Sequence, residues 1–528
     1  MKNSTVTTPA NIPKTIPNST PTTGLRWFLY FTAASTGAAI MIVEILGAKM
    51  LSPYIGTSHF VWTAQIAITM VALACGYYVG GRLADKIQRL EVLYWAIFGS
   101  GVFLAITTLA CERIAYWSLK FNLALATLCA SAMLFFVPLA LLAMTGPFLI
   151  RVLTNSVNGV GSNVGRLTAI GTLGSFAGTI LIGYVLIPLL PNSTTMCVLA
   201  AFLIVLAPAY HIVWKRKTAL AATAISAVGL AVAMWGMTAS PHLGSVLIER
   251  FRSNSPFGTL QVLDVKGTSR RYLLNDYLSQ NIYDHEQKKS IALFSYMLAG
   301  LSRAYTTNVE DVLCIGMGVG FVPMDFASEG TRVDAVEINP MMAPVAQEFF
   351  DFKPELVNVF VGDGRYFFNE CKKQYDVVIL DAFLGDSMPS HLMTKEAFIA
   401  MRRILKPGGV LVINSFGDLN SEQDFLTTSL NKTLRSVFKS VRVHSGESQT
   451  LFFVAGDSPE LTILRPQSVA AVHASLRDAA VESYKSEIRV PTDRGRVLTD
   501  DFNPAEFYDA KNREALRRDL ALSMKRLQ

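Results

Sequence analysis

The sequence predicts two parts of different class. The first half is α-helical and membrane-spanning, with about seven helices; the second is a soluble α/β half built on a doubly wound sheet behind a small β unit. Three observations carry this. The 528 residues are 51% hydrophobic with a mean hydropathy of +0.35, too long for one domain and too apolar for a uniformly soluble chain. Apolar runs of spanning length crowd the first 239 residues. Beyond Ser240, short β-rich runs alternate with helical ones, and acidic residues fall at the ends of the strands. The boundaries expected are a tail over 1–23, the helical domain over 24–239, a β-rich lid unit over 240–305, the α/β domain over 306–460 and a helical extension over 461–528.

Residues 1–23 are rich in Thr, Pro, Asn and Ser and lack an apolar centre, so they read as a disordered tail rather than a cleaved signal peptide. Apolar runs follow at about 27–46, 60–81, 92–111, 123–144, 168–188, 195–214 and 219–238, each near the ~20 residues that cross a bilayer. Pro138 interrupts the fourth, and Ala and Gly dilute the seventh. Between Gly24 and Ala239 stand 12 Lys/Arg and 4 Asp/Glu, and the tail adds 2 Lys. Of the 47 basic and 40 acidic residues, 33 and 36 therefore remain for 240–528, so the +7 net charge belongs to the membrane half. This speaks against a nucleic-acid surface on the soluble half.

Loops after spans two, four and six hold Arg82, Lys86, Arg89, Arg151, Arg166, Lys215, Arg216 and Lys217; the others hold Lys49, Arg113 and Lys120. The bias places the amino terminus and the even-numbered exits in the cytoplasm of a multi-pass inner-membrane protein. Seven crossings would then put the soluble half outside. A cytoplasmic carboxyl-terminal domain is nonetheless expected, on substrate grounds.

Inside the first span, in "MIVEILGAK", Glu44 is expensive to bury and stands as a functional candidate; the plain alternative is an acid reaching Lys49 or the headgroups. "GGRLADKIQR" (Gly80 to Arg89) resembles the loop between spans two and three of major facilitator transporters. The run Gly171, Gly174, Gly178, Gly183 resembles that superfamily's glycine-rich fifth span. Packing through small residues explains both equally well, and seven spans fall short of the superfamily's usual twelve. Cys75, Cys111, Cys129, Cys197, Cys314 and Cys371 show no metal or CxxC spacing, so buried thiols without zinc or disulfides are expected.

In the soluble half, "GTLQVLDV", "RRYLLND" and "SQNIYDH" predict a small antiparallel unit over about 246–285, and "KKSIALFSYMLAGLS" a helix. Strands are then expected at 311–316, 332–337, 357–361, 375–381 and 409–414, with two more near 440–446 and 450–456. Helices are expected at 320–329, 340–351, 394–405 and 421–438. Alternation of this kind implies a parallel sheet whose ligands bind beyond the carboxyl ends of the strands.

Functional residue types gather at those ends. Gly316, Gly318 and Gly320 close the first strand, Glu337 ends the second, Asp363 and Gly364 follow the third, and Asp381 ends the fourth. Glycines let backbone approach a ligand, and a carboxylate on the second strand can take both hydroxyls of a ribose. The loop reads G-x-G-x-G rather than the dinucleotide G-x-G-x-x-G, and acids at the third and fourth strand ends would repel phosphates. A phosphate-free, cationic nucleoside, the adenosyl sulfonium, suits them. With "LKPGGVLVINS" (Leu405 to Ser415), the reading is a Rossmann-like fold of the S-adenosylmethionine-dependent methyltransferase type; the same sheet without a ligand is the bland alternative.

The order of β-rich unit, glycine loop, "VEIN", "GDGRYFF" and "YDVVILDAF" resembles the spermidine synthases, or polyamine aminopropyltransferases, over about 246–456. It is most similar to their membrane-fused bacterial branch; "LTDDFNP" (Leu498 to Pro504) resembles the branch's final segment. The resemblance implies decarboxylated S-adenosylmethionine as co-substrate, a diamine as acceptor, no metal, and self-association. It implies that Glu337 binds the ribose, Asp363 contacts the adenine and Asp381 orients and deprotonates the attacking amine. Gln280 matches a glutamine over the active site, and Tyr283 and Tyr296 are candidates for an aromatic wall, with core packing as the alternative.

Departures accompany the likeness. Val319 stands where the family carries an aspartate for the aminopropyl amine. The second active-site acid, expected three residues beyond Asp381, has its nearest counterpart five residues on, at Asp386, and a Tyr-His-Glu triplet is missing. Three readings therefore stay open: aminopropyl transfer to a diamine such as putrescine, methyl transfer from S-adenosylmethionine to an amine or membrane-borne substrate, and a non-catalytic polyamine sensor or transport-coupled module.

Overall fold

The computed structural model describes residues 22–508 apart from 57–58, 88, 155–159, 239–245, 256, 277, 384–387, 421–422 and 448. Asp386, the tail over 1–21 and the charged segment after Tyr508 lie outside the described residues. Seven helices among those described are long and apolar enough to cross a membrane: α1 Thr23–Ile55, α2 Phe60–Lys86, α3 Leu90–Ser118, α4 Leu123–Leu153, α5 Val160–Leu189, α6 Asn192–Trp214 and α7 Arg216–Met237. Pro138 does not end α4. It stands two residues after a π turn at Ala132–Phe136, and the helix continues through it.

Small residues set how these helices meet. A Cβ on Gly174 would lie 2.1 Å from the Ala34 carbonyl oxygen and one on Gly178 2.6 Å from that of Ala38, so α5 lies directly on α1. Gly183 meets nothing within 4 Å. Helix packing thus requires two of the four glycines, Gly174 and Gly178. The cysteines carry no disulfide; Cys75 is exposed on α2 rather than buried, while Cys111, Cys197 and Cys314 are buried.

The soluble half opens with a five-stranded antiparallel sheet in the order β1 to β5: Leu247–Ser255, Gly258–Val265, Arg270–Asn275, Leu278–Asp284 and Lys289–Ser290. Helix α8 (Leu293–Tyr305) leads into a seven-stranded sheet formed by β6 Asp311–Ile315, β7 Arg332–Glu337, β8 Asn358–Val361, β9 Tyr375–Leu380, β10 Leu405–Phe416, β11 Ser440–Ser445 and β12 Thr450–Gly456. Its order is β11-β12-β10-β9-β6-β7-β8. Alternate residues bury opposite faces. Val312, Cys314, Val377, Ile379, Val410 and Val412 enter one core, and Leu313, Ile315, Val378, Leu380, Leu411 and Ile413 the other. Helices cover both faces, as strand continuity of this kind requires: after α8 come α9 (Phe321–Ala327), α10 (Met342–Phe349), α11 (Gly364–Glu370), α12 (Lys395–Arg403), α13 (Phe425–Arg435) and α14 (Arg477–Lys485).

Two expectations need correction. The sheet is not wholly parallel, because β12 runs antiparallel to both β10 and β11; only the four-residue loop 446–449 joins β11 to β12, too short for a crossover. A helix absent from the expected order, α11 (Gly364–Glu370), follows β8. It is the crossover that carries the chain from the sheet edge at β8 back to β9 in the middle, and its N-cap is Asp363, whose carboxylate accepts from the Tyr366 N–H. Seven membrane-length helices followed by a methyltransferase-type α/β sheet is the fold class of the chain.

Candidate active site

The central strands β9, β6 and β7 end side by side, and backbone hydrogen bonds draw their exit loops together. Asp381 N–H donates to the Ile315 carbonyl, Gly316 N–H to Val336, and Gly362 N–H to Glu337, each at 2.9 Å. The crowding makes glycine obligatory at 316. Its φ is +90°, and a Cβ there would lie 2.2 Å from the Asp381 carbonyl oxygen. Gly318, at φ +53°, differs: a Cβ would meet nothing within 4 Å, so its backbone is open to a ligand. Gly320, at φ +80°, is the left-handed N-cap of α9 (Phe321–Ala327) and packs on Phe352; it shapes the loop without lining the cleft.

One cavity beyond these ends is lined by Gly316, Gly318, Glu337, Asp363, Gly364, Asp381 and Gln280, so residues from both sheets share it. Glu337 is 8% exposed, and its two oxygens accept from the Met317 and Asn339 N–H groups at 3.1 and 2.9 Å. Burial raises its pKa, and these backbone donors oppose the rise. The carboxylate therefore ties the glycine loop to the end of β7. Asp363 caps α11 with one oxygen, and its other lies 3.1 Å from His391 Nε2. Asp381 accepts from the Asn414 side-chain amide at 2.9 Å. Burial pushes its pKa up to about 7, against the lowering effect of that amide, while its edge still meets the cleft.

Tyr283 and Tyr296 are not part of the cleft. The Tyr283 hydroxyl donates to Asp351 at 2.7 Å and that of Tyr296 to the Ser290 carbonyl at 2.9 Å, with their rings against Phe350 and Phe321. Their alternation on β4 and on α8 directs them into the core, and the aromatic wall is supplied instead by Phe257, Phe294, Phe383 and Phe416. Val319 is buried at the cleft margin, so no carboxylate stands in the loop. His391 and Asn414 were not singled out by the sequence. Asn414 had a signal, a polar side chain among the apolar residues of "GVLVINS"; His391 had none.

The carboxyl-terminal segment braces the Asp363 side. Arg365, on α11, pairs with Asp500 at 2.7 Å and donates to Thr394 and to the His391 carbonyl. Thr394 donates to Asp500, Lys395 N–H to the Leu498 carbonyl and the Asn503 amide to Ser390. The same segment ends at α15 (Ala505–Tyr508), where Phe507 stacks on Phe60 of α2. Asp363 and His391 are thus held by the strap "LTDDFNP" and, through it, joined to the long apolar helices of the first half.

The spermine/spermidine synthase domain matches residues 292–445. A polyamine aminopropyltransferase of Vibrio vulnificus is 32% identical over 241 residues, 42% of this chain and 78% of that protein. A probable polyamine aminopropyl transferase of Bifidobacterium longum is 26% identical over 270 residues, spanning 59% of its length. An N-terminal histidine N-methyltransferase of Emericella nidulans is 32% identical over 140 residues, 24% of that protein. Among solved structures, a probable spermidine synthase from Corynebacterium glutamicum aligns with 86% of its chain and 45% of this one, at 19% identity and a TM-score of 0.35.

Proposed function

The chain belongs to the polyamine aminopropyltransferase (spermidine synthase) family and is a transferase, and from that premise we propose that it moves an aminopropyl group from decarboxylated S-adenosylmethionine to a diamine such as putrescine. The observation that supports this most is Asp381: a carboxylate with a pKa near 7, facing the cleft that Glu337, Asp363 and the open backbone of Gly318 also line.

The residues fit an adenosyl sulfonium. Glu337 offers a buried acceptor to ribose hydroxyls, Gly318 gives close approach, Asp363 with His391 sits where the base would edge the cleft, and among the described residues no phosphate-binding lysine or arginine lines it. The co-substrate supplies a propyl carbon made electrophilic by its sulfonium. Asp381 holds the acceptor amine, takes its proton and leaves a nitrogen lone pair to form the C–N bond as the C–S bond breaks, the electron pair going to sulfur in methylthioadenosine. Phe294, Phe383 and Phe416 exclude water and pack the methylenes. Incubating the full-length protein with the co-substrate and putrescine tests this: methylthioadenosine should form, and Asp381→Asn should suppress it.

Val319 favours a second reading, methyl transfer from S-adenosylmethionine. The loop lacks the acid that would hold a free aminopropyl amine, a charge-assisted contact of about 1.5–3 kcal/mol. Formation of S-adenosylhomocysteine instead of methylthioadenosine would establish it. Anchoring in the inner membrane by α1–α7, with the transferase domain in the cytoplasm beside its substrates, completes the proposal; a reporter fused after Gln528 tests the orientation.

A further inference from the structure

The membrane bundle holds polar side chains that the transferase site does not use. Gln65 and Thr69, one turn apart on α2, and Ser131 on α4 are fully buried, and among the described residues neither amide atom of Gln65 nor the two hydroxyls make a hydrogen bond of ordinary geometry. Gln65 faces α1 at Gly47. A Cβ on Gly47 would lie 2.8 Å from the Gln65 amide nitrogen and 3.1 Å from the Phe135 ring of α4, so three helices meet there and the amide fits only against glycine. One turn along α1 from Gly47, the Glu44 carboxylate approaches the Thr69 hydroxyl. Because α1 and α2 run antiparallel, Glu44 opposite Thr69 and Gly47 opposite Gln65 form one seam. Ser131 stands one turn before Phe135, where the π turn of α4 begins, and such turns gather at functional positions.

Unpaired polar groups between membrane helices are expensive and mark a ligand or pathway. We propose that the Glu44–Thr69–Gln65 seam binds the ammonium end of an alkylamine within the membrane half. Group counting selects the class. An –NH3+ head has three donors and no acceptor, and a carboxylate, a hydroxyl and an amide oxygen are three acceptors bearing one negative charge. Calcium takes six to eight oxygens, and no cluster of three or more metal-ligating side chains occurs among the described residues. The Phe135 ring beside Gln65 supplies an aromatic surface for the cation or its methylenes. The preference for an amine over a small inorganic cation rests on the amine chemistry proposed for the soluble half; the seam itself does not.

The test is binding of radiolabelled putrescine to full-length protein in nanodiscs, in an Asp381→Asn background that disables transfer. Glu44→Gln and Gln65→Leu should each weaken the remaining binding by about tenfold or more and remove the putrescine-dependent rise in Tm, with methylammonium competing and sodium at equal concentration not competing. Gln65→Leu replaces an unpaired amide by an apolar side chain of similar size, so it keeps the bundle folded. Unchanged putrescine binding in both variants overturns the proposal, as does displacement by sodium as effective as by methylammonium. The readout is binding, so it stands even where the wild-type protein forms no methylthioadenosine.

Discussion

Asp381 follows the end of β9 and Asn414 stands beside it on the neighbouring parallel strand β10, and the asparagine amide donates to the aspartate carboxylate at 2.9 Å. The amide favours the ionised form; burial opposes it more strongly, and the balance leaves a pKa of about 7. An alkylammonium titrates near 10, so a base in this position stays ionised where the amine still needs to lose its proton.

The acid limb of kcat/KM should therefore fall near pH 7, with activity rising as pH increases through it. Asn414→Leu removes a contact that stabilises the ionised form, so the limb should move to higher pH, with little change in the plateau. A limb near pH 4 in the wild type would remove Asp381 from the role of base.

Stability carries the same signature. Between the unfolded value near 4 and the folded value of about 7, the native state holds a proton that the unfolded chain has released. Folding stability should fall as pH rises across that window, and Asp381→Asn should flatten the slope. Chemical denaturation at several pH values measures it.

Glu337→Gln should raise KM for the adenosyl co-substrate by roughly 10–100-fold with a smaller effect on kcat. The amide presents a donor to one of the two N–H groups that the carboxylate now accepts from, and charge-assisted bonds of this kind contribute about 1.5–3 kcal/mol. Steady-state kinetics at saturating amine separate the two constants.

Two glycines of one loop should respond differently to alanine. Gly316→Ala sets a Cβ against the Asp381 carbonyl oxygen at a positive φ, and Tm should drop by many degrees. Gly318→Ala meets open space, so the protein should fold with strain of about 1 kcal/mol and lose co-substrate affinity instead.

Asp500→Ala should loosen the strap over Asp363 and His391. Asp500 is half-exposed in its pair with Arg365, so the direct contribution of the pair is about 0.2–1 kcal/mol. A rise of a few-fold in co-substrate KM with kcat preserved is expected.

Much of this site was legible because strand ends are. Glu337, Asp363 and Asp381 each close or follow an apolar run, and a doubly wound sheet brings such ends to one edge whatever the loops do. Long apolar helices were legible from length alone. Tyr283 and Tyr296 were not, because which side of β4 or α8 meets the cleft depends on how the small sheet docks, a tertiary fact without local signal. His391 was hidden for the same reason: its loop is placed by Arg365 on α11 and, through Thr394, by Asp500, more than a hundred residues further along the chain. The antiparallel β12 follows from the short β11–β12 loop and was available to a stricter reading.

The central claim is met most directly by product analysis of the full-length protein in lipid, given putrescine with either decarboxylated S-adenosylmethionine or S-adenosylmethionine. The account predicts methylthioadenosine and an aminopropylated diamine from the first mixture, and neither from Asp381→Asn. S-adenosylhomocysteine from the second mixture, with no methylthioadenosine from the first, would contradict it.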